Sequence, residues 1–321
     1  MFLDEPPKTD IIQSEFRTIG NKVPEVSKEL KDTLYNLGRK RDWLSEYRRE
    51  KGWEKLIPDD FNDLSNKDIN TICVSAKEFI DLNELWYEEH RDNASAFKYL
   101  REKLESNGIT VMKNGVVGSD NRRKLNVKEF RGFLLYDDIA PIIFINNNDS
   151  ATGKIFTLIH EYIHFLLEED DIFIDEDAEL KNGNEKRINK ITAEFLMPTS
   201  HIEKLWDDNR LQIGQIEDLS KLFHVSAIAL AIKLKGMGKI DQQLVNEIMQ
   251  NTKGRLENSA EAGGGGNYYY TSRSRFGDSF LSTVIQGAES GDIGYTQAFK
   301  LLDDSVKAYD YFKEEFMSYG I

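Results

Sequence analysis

The chain has 321 residues, with 42 basic against 56 acidic side chains and a formal net charge of −14. A surface that acidic argues against broad electrostatic binding to nucleic acid or anionic lipid. The single cysteine, Cys73, excludes an internal disulfide framework and points to a reducing, cytoplasmic setting. The first residues lack the basic and apolar regions of a secretion signal, and the most apolar stretches are too short to cross a bilayer.

In chain order, residues 1–25 are polar and mixed, and are expected to be poorly ordered or laid across the body. Leu30, Leu34, Leu37, Leu44 and Tyr47 then recur at helical spacing and predict a helix over residues 28–52. The basic residues of its second half (Arg39, Lys40, Arg41, Arg48, Arg49 and Lys51) read as a solvated helix face. More helix is predicted between residues 57 and 107, where Ile69, Ile72, Cys73, Ala76, Phe79 and Ile80 share one face.

Beyond Gly108 the period changes. Residues 109–112, 130–136 and 141–145 are short β-branched and aromatic runs bounded by Gly, Asn and Asp, and they predict three strands of a small sheet. The cluster at residues 146–150 caps a helix expected from about Thr152 to Leu167. A second helix is expected from about Asn184 to just before Pro198, with shorter ones at residues 216–223 and 226–235. Four glycines at 263–266 form a break, and helix resumes over residues 280–321. The fold class expected is α+β, predominantly helical.

The chemistry is carried by His160-Glu161-Tyr162-Ile163-His164, an HExxH sequence. On a helix, residues four apart lie about 40° apart around the axis, so both imidazoles project from one face and can reach one Zn²⁺. Glu161 stands beside them, where its carboxylate can take a proton from a water activated at the metal. Apolar residues surround the motif, including Ile155, Leu158, Ile159, Ile163, Phe165 and Leu166. The helix is therefore expected to be buried, and its polar residues need partners.

A third ligand is required. Residues 168–179 contain eight acids, mostly readable as a solvated loop. Glu185 stands out because it shares a helix face with Ile188, Ile191, Phe195 and Leu196, whereas Glu194 should point away. Asn189 follows Glu185 by one turn, where its amide could hold a ligand histidine in place.

Residues 156–164, followed by residues 185–198, resemble the ImmA/IrrE family of metallo-endopeptidases. The approach at residues 140–146 and the segment at residues 219–226 are also similar to that family, so the resemblance covers roughly residues 131–235. It implies a gluzincin-type zinc site with His160, His164 and Glu185 as ligands and Glu161 as general base. The implied layout is an N-terminal helical extension (1–60), a zincin-like core with a small mixed or antiparallel sheet (61–215), a helix-turn-helix-like segment (216–250) and a helical C-terminal extension (251–321).

Family members cleave repressor-type transcription factors or act beside toxin–antitoxin genes. The expected partner is accordingly a DNA-binding regulator or antitoxin encoded nearby, with no direct nucleic-acid or membrane partner. An antitoxin-like zinc-binding protein with little proteolysis is the alternative. Two features depart from the family pattern: some thirty residues before the first helix are too few for an N-terminal DNA-binding domain, and Tyr162 replaces a small residue. Tyr162 either narrows the cleft or packs. Tyr268, Tyr269 and Tyr270 either reach a substrate oxyanion or help pack the tail, the plainer reading. His90, His201 and His224 read as ordinary histidines, His201 lying near enough to Pro198 to approach the cleft. Residues 141–145 are expected to offer a strand edge to an extended substrate segment.

Overall fold

The computed structural model describes residues 26–58, 61, 64–168, 178–258, 268–303 and 306–318. Helix α1 (Lys28–Glu50) begins where the Ser27 side chain accepts a hydrogen bond from Leu30 N, which satisfies one of the free amides of the first turn. Helices α2 (Ile69–Phe79) and α3 (Asn93–Ser106) follow, the latter opened by a reciprocal Asp92–Ser95 capping box. The strands are β1 (Thr110–Asn114), β2 (Val116–Val117), β3 (Asp120–Lys124), β4 (Gly132–Leu135) and β5 (Ile142–Asn146). Then come α4 (Ala151–Leu166), α5 (Ala178–Leu196), α6 (Thr199–Leu205), α7 (Gln212–Leu222), α8 (Ala227–Gly236) and α9 (Gln242–Asn258). The tail holds α10 (Tyr268–Phe276), α11 (Asp278–Glu289), α12 (Tyr295–Leu301) and α13 (Val306–Ser318). The fold is α+β and helix-rich, as the periodicity indicates.

The main sheet has the order β1-β5-β4, with β1 parallel and β4 antiparallel to β5. Alternation along β5 divides two cores. Ile143 and Ile145 join Val111 against the layer that holds α2 to α5, while Ile142 and Phe144 join Met112, Phe133 and Leu135 on the other face. That second face is covered by Leu30, Leu37 and Leu44 of α1 with Phe280, Leu281 and Val284 of α11 and Phe312 of α13. The three sequence-predicted strands are present. A second hairpin of β2 and β3 was not expected, because Asp120-Asn-Arg-Arg-Lys124 shows no apolar alternation.

Two expectations are corrected here. The run at residues 141–145 is not a sheet edge: β5 is the central strand, and its backbone is engaged by β1 on one side and β4 on the other. The basic half of α1 is not uniformly solvated either. Lys40 is 3% and Arg48 2% exposed, because α1 lies between the sheet and the C-terminal helices. Lys40 pairs with Asp303 at 2.6 Å. Arg48 Nη1 donates to the carbonyls of Gly108 (2.7 Å) and Ile139 (2.8 Å), and its guanidinium stacks on Trp53. Burial, partly opposed by Asp137, lowers the Arg48 pKa to about 10.

Replacing Arg48 by methionine keeps the stem but leaves two carbonyls unpaired, and is expected to cost on the order of 2–4 kcal/mol. Urea denaturation measures this directly. Arg48→Lys should recover only part of the loss, since an ammonium lacks the planar fork. A midpoint unchanged in Arg48→Met would show that the contact is not structural. Residues 1–25, residues 169–177 of the expected acidic loop at 168–179 and the glycines at 263–266 lie outside the described residues. No helix among the described residues is long and apolar enough to cross a membrane.

Candidate metal centre

Helix α4 starts at Ser150, whose hydroxyl accepts from Gly153 N, and every residue from Thr157 to Leu166 is buried. Its first turn is pinned to the sheet by Arg131, just before β4, whose Nη1 bridges both carboxylate oxygens of Asp149 at 2.9 Å. Strand β4 meets α4 closely at Gly132. A Cβ there would fall 2.5 Å from Thr157 Cγ2 and 2.7 Å from the Phe144 carbonyl oxygen, closer than real Cβ contacts come. Gly132→Ala should therefore push β4 off α4 and cost about 1–3 kcal/mol. Unfolding midpoints compared with an exposed control at ordinary φ, Gly214→Ala, whose Cβ would meet nothing within 4 Å, would detect it, and equal midpoints would refute the close approach.

Helix α5 shares the buried layer through Ile188, Ile191 and Phe195, and α2 braces both helices. The Cys73 thiol meets the Ile191 carbonyl at 3.4 Å, and Tyr162 OH donates to the Ala76 carbonyl at 2.7 Å. Tyr162 is fully buried, which pushes its phenol well above the ordinary pKa; it packs rather than narrowing a cleft.

With the helices so held, three side chains converge. His160 Nε2 and His164 Nε2 lie 3.1 Å apart; Glu185 places Oε1 3.1 Å from His164 Nε2 and Oε2 3.5 Å from His160 Nε2. The histidines are almost wholly buried, and the Glu185 side chain is 26% exposed. Two ligands ~2.0–2.1 Å from one tetrahedral ion stand ~3.3–3.4 Å apart. The separation of the two nitrogens is close to the edge of such a tetrahedron, each nitrogen has a Glu185 oxygen at a similar distance, and two imidazole nitrogens with one carboxylate form a suitable donor set. These residues can hold a metal ion. Among the described residues they form the one cluster of histidine, cysteine or acid able to do so. Glu161, 3% exposed, follows the first of these histidines on α4.

Residues 104–235 match the family model of the IrrE N-terminal-like domain, a peptidase family. This chain carries an IrrE-like peptidase domain. The matched segment runs from the end of α3 through β5, α4 and α5 to α8, and so contains all five candidate site residues, His160, Glu161, His164, Glu185 and Asn189. Comparison with the curated proteins and with the solved structures returned no match. This match supports a metallopeptidase-type function for the IrrE-like domain.

Around this centre the structure separates the remaining candidates. Asn189 does not orient a histidine as expected: its Nδ2 donates to the Glu185 carbonyl at 2.7 Å, steadying the helix turn that carries the ligand. Glu194 points away from the centre, as its helical position requires. It accepts from Thr199 N (2.8 Å) and Oγ1 (2.6 Å) and pairs with Lys233 of α8, which holds its carboxyl below the ordinary range despite burial. His201 is a satisfied buried histidine between Tyr87 OH at 2.7 Å and Glu84 at 3.0 Å. His224 contacts Asn93 and the Tyr87 carbonyl, and the His90 ring lies against Tyr99.

Helix α10, which bears Tyr268 to Tyr270, runs beside β1, and Arg101 Nη1 ties it to α3 through the Ser274 carbonyl. The tail thus packs onto the body. Sequence reasoning missed Arg131 and Asp149, which position α4. Their only sequence signal is a pair of opposite charges flanking β4 and β5, too common to single out.

Proposed function

We propose that the protein is a zinc-dependent endopeptidase that cuts a partner protein, a repressor-type regulator encoded nearby. The observation that carries this reading is the convergence of His160, His164 and Glu185 at 3.1–3.5 Å beside the buried Glu161. Bound to these residues, zinc supplies Lewis acidity, polarising a scissile carbonyl and making water a usable nucleophile near neutral pH. Glu161 takes the proton from the attacking water and returns it to the departing amine. Glu185 offers its carboxylate from a separate helix, so the centre is complete only when α4 and α5 are packed together.

Because β5 is central, the substrate edge is reassigned to β4, which has one neighbour in its sheet and packs on α4. An extended segment can add there through backbone hydrogen bonds, and a linker or loop supplies such a segment better than a compact domain. The net charge of −14 agrees with a protein substrate rather than a nucleic acid.

The test is to incubate the zinc-loaded chain with the product of the adjacent regulatory gene and map fragments by mass spectrometry. One cut in an interdomain linker, abolished by a chelator, is expected. An intact regulator that nonetheless binds the zinc-loaded chain tightly would favour the antitoxin-like alternative.

A further inference from the structure

On the sheet face opposite the metal centre, we propose that the groove along α1 binds a small phosphate-bearing anion of nucleotide size. Two adjoining cavities, of about 550 and about 500 Å³, share Asn36, Arg39 and Lys300 and run between α1, α12 and the turn joining β2 to β3. That space lies within the range usual for small-molecule sites.

Charge decides the ligand class. Arg39 and Lys40 of α1 and Lys300 of α12 line the groove, and Arg275 of α10 lines a small adjoining cavity that also touches Lys40, so cations gather here in an acidic protein. Asp303 is occupied by Lys40 at 2.6 Å and by the Asn36 amide at 3.0 Å. Asp120 is the other acid on the wall. Arg39 and Lys300 are exposed and make no ion pair among the described residues, and Arg275 Nε is buried without a hydrogen-bond partner. Burial lowers the Lys40 pKa, Asp303 opposes the shift, and Arg39 and Arg275 add to it, as expected where like charges crowd. An anion in the groove relieves that repulsion, and guanidinium groups favour phosphate oxygens.

The argument for a ring attached to the phosphate is Tyr35. Its side chain is 61% exposed on the groove wall, with the Arg39 guanidinium 6.0 Å from the ring centre. A flat heterocycle can stack on that face while its phosphates reach Arg39 and Lys300.

Isothermal titration of the full chain with adenosine diphosphate, and separately with pyrophosphate, tests the proposal. Saturable binding is expected, weakened at least tenfold in the Arg39→Ala/Lys300→Ala double variant, whose exposed positions should leave the melting temperature unchanged. Weaker diphosphate nucleotide binding in Tyr35→Ala, with pyrophosphate unaffected, would support ring stacking. Equal affinity for both anions would overturn the stacked ring and the nucleotide size argued from Tyr35. Three results would overturn the proposal: no saturable binding, binding untouched by the double variant, or binding lost in His164→Ala, which would put the phosphates on the metal.

Discussion

Glu161→Gln is expected to abolish peptide cleavage, by at least ~10²-fold, while leaving metal content and melting temperature close to those of the unaltered protein. Glutamine keeps the size and hydrogen-bonding outline of the side chain but cannot accept the proton from water. The position is 3% exposed, so no bulk solvent base can stand in for it easily. Cleavage rate, metal analysis and a thermal melt on the same preparation make the test decisive. Unimpaired cleavage by the variant would remove Glu161 from the mechanism and leave the metal centre in search of another base.

The second large effect is on the metal itself. His160→Ala and His164→Ala should each lower metal affinity by more than ~100-fold, because changing partners that only orient ligands already costs ~10–100-fold. Glu185→Ala should do the same, although its side chain is the more exposed of the three. Since the ligands join α4 to α5, bound metal should also stabilise the fold, by about 2.7 kcal/mol at a free concentration one hundred times the Kd. A chelator is therefore expected to lower the melting temperature of the unaltered chain and to leave that of His164→Ala where it was. If Glu185→Ala keeps full affinity, the third ligand lies elsewhere, and the acids at residues 169–177 become the candidates.

Much of this centre was legible because helices translate sequence spacing into geometry without help from the rest of the chain. Residues four apart share a face, so His160 and His164 had to converge if the segment was helical, and its apolar surroundings made burial the natural outcome. Glu185 followed from the same rule applied to α5, where it lies one turn before the buried Ile188. The three main strands were likewise visible in short β-branched and aromatic runs.

What the chain could not reveal locally is which element lies beside which. The order β1-β5-β4 removed the expected substrate edge from residues 141–145, since a run of apolar residues looks alike whether a strand has one neighbour or two. Lys40 and Arg48 look like solvent-facing cations until helices more than two hundred residues later cover α1 and supply Asp303. Asn189 found its partner on its own helix, a choice between near-equivalent hydrogen bonds that spacing does not decide. Periodicity within each segment pointed to the candidate metal-binding residues and to the fold class. Strand order, the burial of α1 and the pinning of α4 by Arg131 were decided only by tertiary packing, because these depend on contacts between segments whose meeting leaves no periodic mark on either one.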